Sequence, residues 1–559
     1  MRNAPEMIEV DSTRLEDALR RAEQSLEAED YRLLRAIADS YVYVADLVED
    51  KNTSIRRLRQ LFFGARTEKT RAVVGREVEI ADTIGPTDDC VIDGHAAADL
   101  ESPAGEPDPS NTAPASQGHG RNGADAYRGA CRIDVPHPSL AAGDACPDCR
   151  QGTVYEKAPG VLVRISGQPP LVARIYQLQK LRCHVCGRVF TAAAPDEVGS
   201  HKYDATAGSM IGLLKYGSGL PFNRLDGLQG HLEIPLPAST QWDIVQAVAA
   251  DIAPAFAELI RQAAQGDVLH NDDTTVKILE LMGKRARQTA LACPRSDQEE
   301  VTHGERRSGL YTSGVVALGD GHRVALFFSG RRHAGENLAE VLKLRATELG
   351  PPIQMCDALS RNLPGELQTM VAHCLAHARR QFVDVYDRFP DQCRYLLESL
   401  AEVYRNDALA RQRRLSPEAR LQFHQQASQP TMQQLHDWLA RQLDEKLTEP
   451  NSALGSAIRY MLRHWDKLTL FLRQAGAPLD NNLCERALKK AILHRKNALF
   501  YKTQNGARVG DLFMSLIYTC QLNQANPFDY LTRLQQHGDQ LQVSPELWMP
   551  WNYRAALTK

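Results

Sequence analysis

Residues 478–500, PLDNNLCERALKKAILHRKNALF, join a carboxylate, helix-start chemistry and a cationic surface in one short run. Pro478 and the Asp480-Asn481-Asn482 trio suit a helix start, because short polar side chains accept from the free N–H groups of a first turn. Apolar residues at Leu483, Ala487, Leu488, Ala491 and Ile492 follow helical spacing. Glu485 then falls in the first turn, where the positive end of the helix favours its charged form. From Arg486 to Arg508 there are seven Lys or Arg and no Asp or Glu: Arg486, Lys489, Lys490, Arg495, Lys496, Lys502 and Arg508. Such a surface attracts a polyanion, and a phosphodiester backbone suits it. The plainer alternative is a solvated, capped amphipathic helix. A second kind of chemistry lies upstream, where Cys146-Pro-Asp-Cys149 and Cys183-His-Val-Cys186 are joined by strand-like segments. Two such knuckles on short strands predict a zinc ribbon whose four thiolates hold a structural Zn²⁺; two redox pairs are the alternative.

Other parts of the chain must position these groups. With 559 residues the chain has room for roughly three or four domains of about 150 residues each. Its net charge of −3 leaves nucleic-acid contact to locally basic segments. No apolar stretch reaches the roughly 18 residues of a membrane span, and the first 20 residues lack the apolar core of a secretory signal, so a cytoplasmic protein without membrane contact is expected. Residues 1–70 carry apolar residues at alternating steps of three and four, predicting a coiled coil or helical hairpin that self-associates; an ordinary amphipathic helix is the alternative. Residues 71–130 read as a flexible acidic linker, 131–200 as the ribbon, and 201–265 as a helical module, either a helix-turn-helix or a scaffold.

Residues 266–389 switch to strands. GDVLHNDDTTVKIL carries Asp272 and Asp273 on an alternating segment, and two further strands are joined by Asp320-Gly321, a hairpin signal. A helix over about 336–349 leads to a short apolar strand ending at Asp357, then to a helix over about 367–389. The order strand, strand, strand, helix, strand, helix is that of a ribonuclease-H-like α/β core within a multidomain α+β chain. Residues 390–475 read as an all-helical insertion, and 476–559 as the second part of the core.

The run Asp480-Asn-Asn, Glu485, Arg486-Ala-Leu and Arg495-Lys-Asn resembles the signature of insertion sequence sixty-six family transposases. The resemblance extends to Ile55–Lys69, to 118–128 and to Cys374-Leu-Ala-His377-Ala-Arg379-Arg380. It implies a DNA transposase with an Asp-Asp-Glu site of Asp272, Asp357 and Glu485 holding Mg²⁺ or Mn²⁺, which cleaves and joins DNA at the ends of an insertion sequence. The implied partners are the element's terminal repeats, target DNA, further copies of the chain and small accessory proteins. His377, Arg379, Arg380, Lys489, Lys490, Arg495 and Lys496 become candidate DNA contacts, with core packing an equal reading for Cys374 and His377. Family members usually have Asp-Glu-Thr-Pro at the first acid, where this chain has Asp272-Asp273-Thr274-Thr275, so Asp273 rivals Asp272. An inactive, DNA-binding derivative of a transposase is the contrasting reading.

Cys146, Cys149, Cys183 and Cys186 are expected to hold one Zn²⁺. Metal analysis of the Cys183→Ser/Cys186→Ser double variant should show that equivalent lost, with the distant catalytic segments still folded; full retention would refute the ribbon.

Overall fold

The computed structural model describes residues 201–283 and 309–558 continuously, with 135–148, 150–155, 167–182, 189–199 and scattered positions between 19 and 36. The expected heptad segment lies largely outside the described residues, and the acidic linker wholly so. Strands β1 (Lys180–Arg182) and β2 (Val189–Thr191) pair antiparallel, with Arg182 opposite Val189. Helices α1 (Ala205–Gly212), α2 (Phe222–His231), α3 (Ala238–Asp251) and α4 (Ala253–Ala264) follow.

The mixed α/β body is built on five strands: β3 (Val268–Thr275), β4 (Tyr311–Gly319), β5 (His322–Gly330), β6 (Ile353–Cys356) and β7 (Met370–His373). Their order is β5-β4-β3-β6-β7. The β3-β4 and β4-β5 pairs are antiparallel, whereas β3-β6 and β6-β7 are parallel. Asp320 and Gly321 both have positive φ, the backbone a two-residue hairpin between right-twisted strands requires. Helix α5 (Ala334–Leu342) crosses from β5 to β6, and α6 (Leu375–Val385) follows β7. Two sequence expectations need correction here. The helix expected over 367–389 contains strand β7 in its first part, because Met370–His373 is too short to display alternation but completes a parallel ladder on β6. The helix expected to reach residue 349 stops at Leu342, where Arg345 turns the chain by donating to the carbonyls of Ala264, Gly266 and Gly350.

Helices α7 (Pro390–Gln412), α8 (Pro417–Ala427), α9 (Gln429–Asp444) and α10 (Ala453–Arg463) come between the strands and α11 (Asn482–Ala498), α12 (Gln504–Leu522) and α13 (Pro527–Gln536). Two apolar cores result. One joins β3–β5 to α3, α4, α11 and α12; the other joins Met355 and Ala372 of β6 and β7 to Phe382, Leu397, Leu435 and Ile458. No described helix is long and apolar enough to cross a membrane.

The outer edge of β5 would expose unpaired N–H groups, and α12 covers it with polar side chains at every fourth position. Asp511 Oδ2 accepts from Ser329 N at 2.7 Å, Ser515 Oγ from Phe327 N at 3.0 Å, Thr519 Oγ1 from Ala325 N at 3.0 Å, and Asn523 Oδ1 from Arg323 N at 3.1 Å. The match is metrical: four helical residues rise about 6 Å and two strand residues about 6.7 Å, so the two ladders stay in step over four rungs. Thr519→Val keeps the volume and removes the acceptor for a buried N–H. It should lower unfolding free energy in urea by about 1–3 kcal/mol; an unchanged midpoint would contradict the role of the ladder.

Candidate active site

Asp272 and Asp273 are adjacent on β3, so strand alternation sends them to opposite faces of the sheet. Asp273 is committed on its face: its side chain is 1% exposed, Ser313 Oγ donates to Oδ1 at 2.7 Å, and His333 Nδ1 stands 2.8 Å from Oδ2. Asn337 Nδ2 completes the cluster by donating to Ser313 Oγ. Asp272 faces the other side. Its carboxyl is pushed up to about 7, chiefly by burial, against the hydrogen bond it accepts from Asp273 N at 2.8 Å; the charges of Asp357, Glu485 and Asp273 raise it further.

Asp357 arrives at this face by strand register. The last paired residues of β3 and β6 are His270 and Met355, and each acid stands two residues beyond its strand's member of that pair. Both therefore share one face at one end of the sheet. Asp357 accepts from Asn362 Nδ2 and from Leu359 N at 3.1 Å. Asn362 is anchored in turn, since its carbonyl accepts from Asn271 Nδ2 at 2.8 Å and from Gln354 Nε2 at 2.7 Å. Gly335 on α5 lets this loop come close: a Cβ there would lie 2.2 Å from the carbonyl oxygen of Leu363.

Glu485 is delivered by α11. The Asp-Asn-Asn trio divides its work differently from a simple cap: Asp480 and Asn482 bond locally to each other, Asp480 accepting from Asn482 N at 3.1 Å and from Asn482 Nδ2 at 2.9 Å. Asn481 is fully buried and makes no side-chain cap. Its Oδ1 lies 3.1 Å from His270 Nδ1, its Nδ2 donates to the Asn271 carbonyl at 3.1 Å, and its N–H points to Cys374 Sγ at 3.2 Å. It thus pins the start of α11 to β3 immediately before Asp272. Farther along, a Cβ at Gly314 would meet the Leu488 side chain at 3.0 Å and Cys484 Sγ at 3.3 Å; the missing side chain on β4, opposite Asp272, lets α11 lie directly on the sheet. Glu485 is 29% exposed, and His377 Nδ1 of α6 stands 3.7 Å from its Oε1. Glu485 Oε1 is shielded from solvent without a hydrogen-bond partner. Asp272 and Asp357 share one face at one end of the sheet, within electrostatic reach of Glu485, and carboxylate oxygens are the donors a hard divalent cation takes.

The cationic candidates separate by environment. Lys489 and Lys496 are exposed on α11, whereas Lys490 is half-buried with its ammonium 5.9 Å from the centre of the Tyr518 ring. Arg495 Nη1 is bound to Thr274 Oγ1, Thr275 Oγ1 and the Thr275 carbonyl, which ties α11 to the end of β3. Arg379 and Arg380 are partly exposed on α6. Among the ribbon cysteines, Cys146 sits in a turn closed by the Ala145–Thr153 bridge, with its N–H donating to Gly152 O at 2.8 Å. Cys149, Cys183 and Cys186 lie outside the described residues. Sequence reasoning missed the tertiary role of Asn481, the Asn271–Gln354–Asn362 network and the Asp273–His333 pair. The available signal was the polar letters on otherwise apolar strands, LHND and PIQMC.

Residues 202–509 match the transposase IS66 family. Similar proteins occur in Sinorhizobium fredii (strain NBRC 101917 / NGR234). The uncharacterized protein y4hP is 27% identical over 408 residues, covering 68% of this chain and 67% of its own. The uncharacterized protein y4jD is 35% identical over 190 residues, or 33% of this chain and 36% of its own, and y4qI is 28% identical over 203 residues. Thus the chain spans little more than a third of y4jD and two thirds of y4hP.

The raised carboxyl of Asp272 sets a pH dependence. Its folded value of about 7 lies above the ordinary 3.8, so the stability associated with the protonated form is full below about pH 4 and is lost as pH rises through 7. In the absence of divalent cations, Asp272→Asn should therefore raise the melting temperature most at pH 8, less at pH 5 and little below pH 4. A variant melting below the parent at pH 8 would contradict this placement.

Proposed function

Since the chain belongs to the transposase IS66 family, we propose that it is a DNA transposase whose Asp272, Asp357 and Glu485 form the site of strand cleavage and joining. The observation that carries this reading is geometric: the β3–β6 register brings Asp272 and Asp357 to one face at one end of the sheet, and the Asp272 carboxyl, raised chiefly by burial, also feels the charges of Asp357 and Glu485, two acids reached from distant parts of the chain. The strand order β5-β4-β3-β6-β7, with β4 antiparallel to its neighbours, supports a ribonuclease-H-like core.

Carboxylates about 4 Å apart repel by roughly 4 kcal/mol per pair at an effective dielectric of 20, so their ionised forms call for cations. Asp272, Asp357 and Glu485 would hold Mg²⁺ or Mn²⁺, which supplies activation of a water or 3′-hydroxyl and stabilisation of the leaving oxygen. The protein's own residues keep the acids in place: Asn362 and Leu359 N–H orient Asp357, Asn481 fixes the helix that carries Glu485, and Ser313 and His333 hold Asp273 on the far face. Asp272 is accordingly the assigned first ligand, with Asp273 bracing the strand. Lys489 and Lys496 are exposed on the helix that carries Glu485, and they would bind phosphates of the element ends. Arg379, Arg380 and His377 on α6 would extend that contact, while Lys490 and Arg495 serve the packing of α11. A zinc ribbon and the N-terminal heptads would position DNA and join copies of the chain, so that two ends are cut together.

Strand transfer with Mg²⁺ and cognate element ends tests the reading. Asp357→Asn and Glu485→Gln should each lower the rate at least a hundredfold with DNA affinity nearly unchanged, and Asp273→Asn should lower it far less. Lys489→Ala/Lys496→Ala should weaken binding and reduce the salt slope by about 0.9 per lost phosphate contact. Full activity of Glu485→Gln would overturn the assignment, and DNA binding by the parent with no cleavage under any divalent cation would favour an inactive derivative.

A further inference from the structure

Beside the acidic cluster stands a donor set of different chemistry. Cys374 Sγ, a ring nitrogen of His377 and a carboxylate oxygen of Glu485 all lie within 4.8 Å of one another. Cys374 immediately precedes α6, His377 occupies its first turn, and Glu485 comes from the first turn of α11. His377 Nδ1 and Glu485 Oε1 face each other at 3.7 Å, beyond hydrogen-bond reach, and both atoms are shielded from solvent with no hydrogen-bond partner. Unsatisfied polar atoms that face one another across a gap are costly unless something bridges them. Cys374 Sγ already accepts an N–H from Asn481 at 3.2 Å, the outer support that a metal-bound thiolate uses.

We propose that Cys374, His377 and Glu485 form a second metal site, selective for a borderline-soft divalent ion such as Zn²⁺, and that its occupation withdraws Glu485 from the acidic cluster. One sulfur, one imidazole nitrogen and one carboxylate oxygen are a zinc donor set, whereas Mg²⁺ demands oxygen. Tetrahedral coordination with bonds of about 2.0–2.3 Å spaces the donors about 3.5 Å apart. His377 and Glu485 are 27% and 29% exposed, so rotation of these two side chains can close the set onto an ion while Cys374 stays fixed. Three protein donors leave one position for water or a phosphate oxygen. The inhibitory consequence rests on the catalytic role of Glu485 proposed above; the binding of the ion does not.

The test uses the full chain with its ribbon cysteines intact, so that their contribution is common to every variant. After equilibration with Zn²⁺, metal analysis should give the parent and Asp357→Asn one equivalent more than Cys374→Ala and His377→Gln, with the urea midpoint of His377→Gln matching the parent before Zn²⁺ is added and falling below it afterwards. Co²⁺ in place of Zn²⁺ should show a thiolate charge-transfer band that weakens in Cys374→Ala. Equal metal content in all four proteins would overturn the site. In strand transfer with Mg²⁺, added Zn²⁺ should slow the parent at least tenfold; an unaffected rate would overturn the inhibitory half. If the parent joins no DNA under any condition, the transposase reading fails, and the metal count by itself still decides whether the site exists.

Discussion

The arrangement of the acidic site depends on one buried amide. Asn481 binds His270 and the Asn271 carbonyl, and so joins a helix near the C-terminal end of the chain to a strand more than two hundred residues earlier. Its position between the two makes the approach of α11 to β3 a matter of two specific contacts rather than of apolar packing alone. Apolar surfaces slide with little penalty; a buried amide with unpaired donors and acceptors does not. The glycine at 314 removes the steric obstacle, Cys484 and Leu488 fill the space, and Arg495 fixes the far end of α11 to Thr274 and Thr275. Between these clamps Glu485 has little freedom except at its own side chain.

The same cluster carries a stability cost. Asp272 is buried among like charges and pushed up to about 7, an arrangement that opposes folding at neutral pH unless a cation compensates. Asp511, pushed to a similar value by burial alone, is the useful contrast: it is supported by two hydrogen bonds from Ser329 and serves the sheet edge. A raised carboxyl therefore does not by itself mark a reaction centre. What separates the two is company: other acids surround Asp272, and hydroxyl and amide donors surround Asp511.

Much of this was legible in the letters. Alternation pointed to β3, the Asp-Gly pair to the β4–β5 hairpin, and helical spacing placed Glu485 in the first turn of α11. Strand β7 was not legible, because four residues with no polar alternation acquire their structure only from the parallel partner beside them. The choice between Asp272 and Asp273 was open in one dimension. It narrows once Ser313 and His333 engage one of them on the opposite face. Asn481 was read as a cap because caps are local and its actual partners are remote. A single sequence carries no sign that a short polar side chain bonds to its neighbours or to a strand far away.

Iron-directed backbone cleavage addresses most directly whether the three acids share one ion. Fe²⁺ bound in place of Mg²⁺ reduces added hydrogen peroxide to hydroxide and a hydroxyl radical that cuts the nearest backbone, ascorbate returning Fe³⁺ to Fe²⁺, and excess Mg²⁺ suppresses the cuts that belong to its own site. Mg²⁺-suppressible fragments ending near residues 272, 357 and 485 together are predicted, all three disappearing in Asp272→Asn. Cuts confined to one of these segments, or persistence of the set in that variant, would contradict a shared site.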